Sequence, residues 1–171
     1  MKIYIGSDHA GFELKEVLKK YLPELGLGYE VVDKGAFTFD KNDDYPDFIR
    51  PVAEAVAEGG GPELEERRGI ILGFSGQGEA MCANRIKGVR AAVFYGEKLP
   101  IDNLEVKGDE SNDTFEMVLH AREHDDANII SIGAGFTTED EAKFAVELFL
   151  KTKFSGDERH VRRIKKLEPR S

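Results

Sequence analysis

Gly69-Ile70-Ile71-Leu72-Gly73-Phe74-Ser75-Gly76-Gln77-Gly78-Glu79 is the stretch on which the fold turns. Its first four residues form an unbroken apolar run, as in a strand whose two faces are both covered. This run is the most apolar strand candidate in the chain, and it reads as the centre of a sheet. A glycine-rich turn follows, and then a short helix predicted over Glu79–Ile86.

Upstream, Ile3-Tyr4-Ile5 reads as a short buried strand. Leu14, Val17, Leu18, Tyr21 and Leu22 then recur at helical spacing up to Pro23, and Tyr29-Glu30-Val31-Val32 is a second strand. Asp44-Tyr45-Pro46 opens a helix striped by Phe48, Val52, Ala53 and Val56, which runs out in Gly59-Gly60-Gly61-Pro62. Downstream, a fourth strand is predicted over Val89–Phe94 and a helix around Phe115, Val118 and Leu119. A fifth strand follows over Asn128–Gly133. Thr137-x-x-Asp140 resembles a capping box ahead of a helix carrying Phe144, Val146, Leu148 and Phe149. Strands alternating with amphipathic helices predict a single α/β domain over residues 1–171, with a five-stranded parallel sheet covered on both faces. Residues 59–67 and 97–111 read as polar surface insertions, and residues 156–167 as a basic C-terminal helix.

Composition narrows the function classes. The chain has 171 residues, 40% of them apolar, enough to bury a core. Its one cysteine, Cys82, excludes a disulfide framework and a cysteine-rich zinc site. No signal peptide is evident in Met1-Lys2-Ile3-Tyr4-Ile5-Gly6, and no apolar run approaches the roughly 20 residues that span a bilayer. A cytoplasmic protein is the default. A formal net charge of −9 opposes binding to nucleic acid or to an anionic membrane. It leaves room for a small anionic ligand, because Arg159, Arg162, Arg163, Lys165 and Lys166 form a basic island in the tail.

Parallel sheets bind ligands at the carboxyl ends of their strands. That directs attention to Ser7-Asp8-His9-Ala10-Gly11 after strand one and to Gly73–Glu79 after strand three. In the second loop small residues let backbone N–H groups face a ligand oxygen, Ser75 adds a hydroxyl, and Glu79 lies in the first helical turn. These are the parts of an enolisation: a base that takes a proton from carbon, and donors that hold the oxyanion. The glycines at 73, 76 and 78 do not fit G-x-G-x-x-G, and no Walker lysine follows. A first-turn Glu that merely complements the helix dipole remains open on local grounds. His120-Ala121-Arg122-Glu123-His124 spells the inverted zinc-protease motif, but no third ligand is evident and His124 falls at the helix end. His120 reads as an ordinary helix residue, and His124 as free to face the active-site edge. Arg159 and Arg163 share a helix face, as a phosphate clamp or as a solvated basic end. Cys82 and Met81 read as packing residues behind the loop.

Ser7-Asp8-His9-Ala10-Gly11, Asp44-Tyr45-Pro46-Asp47, the glycine-rich loop through Ala83-Asn84-Arg85, Ala121-Arg122-Glu123-His124 and Arg159-His160-x-Arg162-Arg163-Ile164 occur together in this order. In order and spacing the chain resembles the ribose-5-phosphate isomerase B family, which includes the galactose-6-phosphate isomerase subunits. The resemblance covers nearly the whole chain apart from the two insertions. It implies a Rossmann-like three-layer sandwich and an aldose–ketose isomerase that uses neither metal nor cofactor. It also implies a homodimer, or a dimer of dimers, with sites between subunits. Many members carry a cysteine base where this chain has Gly73; a second branch reads G-G-S-G-N-G-E and uses the glutamate, as Glu79 would here. By the same resemblance, Ser75 and the amides of Gly76, Gln77 and Gly78 hold the enediolate, and His124 assists ring opening. Asp8, His9 and Tyr45 contact the sugar, and Arg159 and Arg163 bind its phosphate. Asp125, also at the substrate, replaces the family's usual Asn, and Gly135 replaces an Arg. Both changes are expected to weaken phosphate binding. A different sugar, a subunit that needs another partner chain, or a binding module without catalysis are the alternatives.

Overall fold

The computed structural model describes residues 1–58, 67–98 and 113–167. Its sheet has five parallel strands: β1 (Lys2–Ser7), β2 (Glu30–Asp33), β3 (Arg67–Gly73), β4 (Ala91–Phe94) and β5 (Ile129–Gly133), in the order β2-β1-β3-β5-β4. The apolar run is central as predicted. β3 pairs with β1 from Lys2↔Arg67 to Ser7↔Leu72 and with β5 from Gly69↔Ile129 to Gly73↔Gly133.

Side chains alternate across the pleat and so build two cores. Ile3, Ile5, Ile70, Leu72, Ile130 and Ile132 face α1 (Phe12–Glu24), α4 (Glu116–Glu123) and α5 (Glu139–Lys151). Tyr4, Ile71 and Ile129 face α2 (Pro46–Ala57) and α3 (Gln77–Ala83), packing with Ile49, Val52, Val56 and Ala83. Full burial of one such aliphatic side chain is worth about 1.5–3 kcal/mol, so β3 alone anchors both layers. The chain passes from β1 outward to β2 and then returns to lay β3 on the other flank of β1. The sheet order therefore reverses between β1 and β3, opening a crevice at their carboxyl ends.

Several boundaries differ from the sequence reading. The helix predicted over Glu79–Ile86 runs over Gln77–Ala83, because Gly76 at φ +73° turns the chain early. β4 starts at Ala91 rather than Val89: the Val89 N–H closes a turn onto the Ile86 carbonyl, and Arg90 N–H is held by the Asn128 side chain. The capping box shifts by one residue to Thr138 and Glu141, while Thr137 Oγ1 donates to the Gly133 carbonyl at 3.0 Å. Met81 does not pack behind the loop; it is 67% exposed, whereas Cys82 lies half-buried against the α2–α3 core. The basic helix is α6 (Glu158–Leu167). Of the two insertions, residues 59–66 and 99–111 lie outside the described residues. Among the described residues no helix is long and apolar enough to cross a membrane.

Candidate active site

Two loops meet at the carboxyl-end crevice. After β1, Asp8 Oδ1 accepts from the backbone N–H groups of Ala10 at 3.0 Å and Gly11 at 3.2 Å, turning the chain into α1. Gly11 lies so close to β3 that a Cβ there would stand 2.7 Å from the Leu72 carbonyl carbon. After β3, the loop is tied to the end of β5: Ala134 N–H donates to the Gly73 carbonyl at 2.8 Å, and Ser131 Oγ to the Gly76 carbonyl at 2.7 Å. Gly76 itself has β5 backbone about it, with Gly133 N 3.1 Å from a notional Cβ. Here the left-handed conformation and the close approach both require glycine.

Glu79 folds back from α3 over Gly73 and is 5% exposed. A Cβ on residue 73 would lie 1.9 Å from Glu79 Oε1, so the carboxyl group occupies the space where a side chain at 73 would stand. Burial pushes the Glu79 carboxyl above its ordinary value; its own backbone N–H pulls the other way, and the charge of Asp8 adds to the rise. Burial likewise raises Asp8, against the amides of Gly11 and Ala10 and the charge of His9, with Asp43 adding to the rise. The Tyr45 ring lies against the first turn of α3, its hydroxyl 3.3 Å from a notional Cβ on Gly78. Ser75 Oγ accepts from the Gln77 N–H at 3.3 Å. The structure thus brings Asp8, Tyr45, Ser75, Gly76, Gln77, Gly78 and Glu79 to one end of the sheet, and His9 follows Asp8 on the β1 loop.

Asp43 was not anticipated as part of this end. Its Oδ1 lies at hydrogen-bonding distance, 2.6 Å, from His9 Nδ1. The only sequence signal was the acidic stretch ahead of Tyr45, indistinguishable from a solvated loop. Exposed aromatics were also missed: Phe39 stands edge-on to His9, and Phe74 edge-on to Phe136.

The remaining expected residues lie elsewhere. α4 runs back from the carboxyl end of β4 and delivers His124 and Asp125 to the start of β5, where Arg90 Nε donates to the Asp125 carbonyl at 2.9 Å. Four residues of β5 separate that level from Gly133, a rise of roughly 13 Å. The expectation that His124 faces the edge that holds Glu79 is therefore corrected for a single chain. His124 instead stacks between His120 and His160, with ring centroids 4.4 and 4.3 Å away. Burial, then the charges of His120, His160 and Arg159, hold it below the ordinary imidazole value, with Asp125 opposing. His160 is buried and shares a 3.0 Å hydrogen bond with Ser155 Oγ, docking α6 here. Arg159 and Arg163 lie exposed on α6. The histidines of the zinc-protease motif do not assemble three converging ligands. Among the described residues the set that does is Asp8, His9 and Asp43, with ligand atoms within 4.8 Å.

The model of the Ribose/Galactose Isomerase family matches residues 3–99 and 112–167. The chain belongs to that family. It is 38% identical over 165 residues to the ribose-5-phosphate isomerase B of Mycolicibacterium paratuberculosis, covering 96% of this chain and 87% of that protein. The probable ribose-5-phosphate isomerase B of Mycoplasma genitalium is 37% identical over 165 residues, covering 96% and 92%. Among solved structures, ribose-5-phosphate isomerase B of Clostridium thermocellum superposes with a TM-score of 0.78 at 37% identity, covering 98% of this chain and 95% of that one. The Mycoplasma genitalium enzyme, solved with bound ribulose-5-phosphate, gives 0.77 at 34% identity, covering 97% and 93%. Within this family framework the Gly135 departure has a local explanation. The Phe74 ring lies on Gly135, its nearest carbon 2.6 Å from a notional Cβ, so any side chain at 135 would displace it.

Proposed function

We propose that the chain interconverts ribose 5-phosphate and ribulose 5-phosphate through an enediolate, with Glu79 as the base. The observation that carries this reading is the Glu79 carboxyl, buried against Gly73 in the crevice beside Asp8. A carboxylate raised by burial is a stronger base than one in water, and its position ahead of the loop amides suits proton transfer along C1–C2. Glu79 takes the C2 proton of the open-chain aldose, and the carbonyl oxygen becomes the enediolate oxygen, held by Ser75 Oγ and the amides of Gly76, Gln77 and Gly78. Passage of the O2 hydroxyl proton to O1 and return of the abstracted proton to C1 give the ketose. Asp8, His9 and Tyr45 hold the sugar hydroxyls.

Ring opening and phosphate binding require His124, Asp125, Arg159 and Arg163, which a single chain places at the other end of its sheet. A homodimer resolves this: His124 of the partner subunit, kept neutral by its surroundings, serves as acid and base at the anomeric carbon. Arg159 and Arg163 of the partner subunit bind the phosphate. Apolar surface suited to such an interface is present, with Phe74 61%, Phe136 59% and Met81 67% exposed. Gly135 favours a second reading, a sugar phosphate of different length, because the phosphate then depends on α6 alone.

The test is exchange of the substrate C2 proton with solvent. Glu79→Gln is expected to abolish it while circular dichroism shows an intact fold, and full activity in that variant overturns the assignment. Conversion measured across pentose and hexose phosphates, and their unphosphorylated counterparts, decides the sugar.

A further inference from the structure

Asp43 lies 34 residues from His9, yet its Oδ1 stands 2.6 Å from His9 Nδ1 and accepts the His9 backbone N–H at 3.2 Å. The Asp43 side chain is 7% exposed, and its Oδ2 is buried without a hydrogen-bond partner among the described residues. An unsatisfied buried polar atom costs about 1–3 kcal/mol, more when charged, so a purely structural role would be better served by a neutral residue. A metal ion does not account for the arrangement. His9 Nδ1 and Asp43 Oδ1 are engaged with each other at hydrogen-bonding distance, too close for two ligands that each stand about 2.1 Å from a shared ion in tetrahedral geometry.

An ionised carboxylate can only accept, so Nδ1 carries the hydrogen and the ring orientation is fixed. The edge of Phe39, with centroids 6.2 Å apart, confines the ring from another side. We infer that Asp43 is a positioning residue: it locks the His9 ring through Nδ1–H and stabilises its imidazolium, whose Nε2–H is then offered to a hydroxyl oxygen of the sugar. This rests on the reading that the carboxyl-end crevice holds a sugar phosphate. The groups that face His9 support it. Asp8 on the same loop, and Asp43 and Asp40 from the β2–α2 connection, all favour the charged ring. The Asp43 hydrogen bond is the largest influence, and burial opposes it only in part.

Asp43→Asn separates charge from shape, because the amide keeps an acceptor and loses the anion. Nitrogen-detected NMR of the full-length protein is expected to show the wild-type His9 imidazolium persisting to higher pH than in Asp43→Asn. In steady-state assays at about pH 8, KM for the sugar phosphate should rise about tenfold with kcat little changed. The difference should close as the pH falls and His9 is protonated in both proteins. In a His9→Gln background, Asp43→Asn should add nothing. An unchanged His9 titration overturns the proposal, as does a KM defect independent of pH, or an equal loss in the His9→Gln background, which would mark Asp43 as structural. If the wild-type chain converts no sugar phosphate, the isomerase reading falls and takes the substrate-binding role with it. An unaltered titration in an active enzyme sinks the Asp43 role alone.

Discussion

The two ends of the sheet are built differently. At the carboxyl end, Asp8 and Glu79 are buried, the backbone is pressed together at Gly11 and Gly76, the Glu79 carboxyl fills the space over Gly73, and the loop after β3 is tied to the end of β5. At the amino end the basic groups are exposed on α6, and His124 is one ring in a row of histidines. The contrast separates two demands of the chemistry. Proton transfer from carbon needs a base held within fractions of an ångström, and the interlocked end provides that rigidity. The proposed phosphate capture needs cations that reach solvent, and α6 exposes Arg159 and Arg163. Neither end is sufficient by itself, which is why a second chain enters the proposal.

The sharpest way to break this comparison is to disable each end in a different chain. Glu79→Gln and His124→Ala homodimers should each lose about 10²–10⁴-fold in kcat. After subunit exchange, each heterodimer contains one site with both groups intact, so an equimolar mixture should recover about a quarter of wild-type activity. No recovery despite demonstrated exchange would place base and acid in one chain and refute the shared site. Gly73→Ala probes the same end without replacing a reacting group. Its Cβ would coincide with the Glu79 carboxyl, so a loss approaching that of Glu79→Gln is expected, and near-normal kcat would show that the carboxyl works from another position.

The same contrast explains what could be read in advance. Ile70-Ile71-Leu72 announced a central strand because burial on both faces leaves no room for polar residues. The loops around Asp8 and Gly76 were legible because tight turns restrict residue type. Thr137 and Thr138 each precede an acidic residue by three positions, so the sequence could not tell which of them caps α5; the Thr137 bond to Gly133 decides it. Asp43 was invisible because its partner lies 34 residues away. The displacement of His124 from Glu79 was hidden for a similar reason: it follows from α4 running antiparallel to the strands, a property of the assembled layers and not of the H-x-x-E-H letters.

At the amino end, Arg159→Ala and Arg163→Ala are expected to raise KM for the sugar phosphate by about 10–100-fold each, the worth of one charge-assisted hydrogen bond. kcat should change little, and added salt should narrow the gap. Equal effects on an unphosphorylated sugar would show that these arginines are not reading phosphate.

The smallest effect expected is on stability, and it has opposite signs at the two ends. Glu79 has a folded-state pKa raised above its unfolded value, chiefly by burial. The folded protein therefore binds this proton more tightly than the unfolded chain does. The contribution favours folding in acid and is lost as pH rises through the folded value. At neutral pH the ionised Glu79 is a cost to the fold, so Glu79→Gln should raise Tm there and give no advantage in acid. His160→Ala, by contrast, removes a buried ring and its bond to Ser155. A loss of about 1–2 kcal/mol should lower Tm by roughly 2–8 °C. Calorimetry of both variants across pH measures the two signs. A Glu79→Gln protein less stable than wild type at neutral pH would mean that the carboxyl is held by favourable contacts, and the desolvated base at the centre of the proposed mechanism would have to be given up.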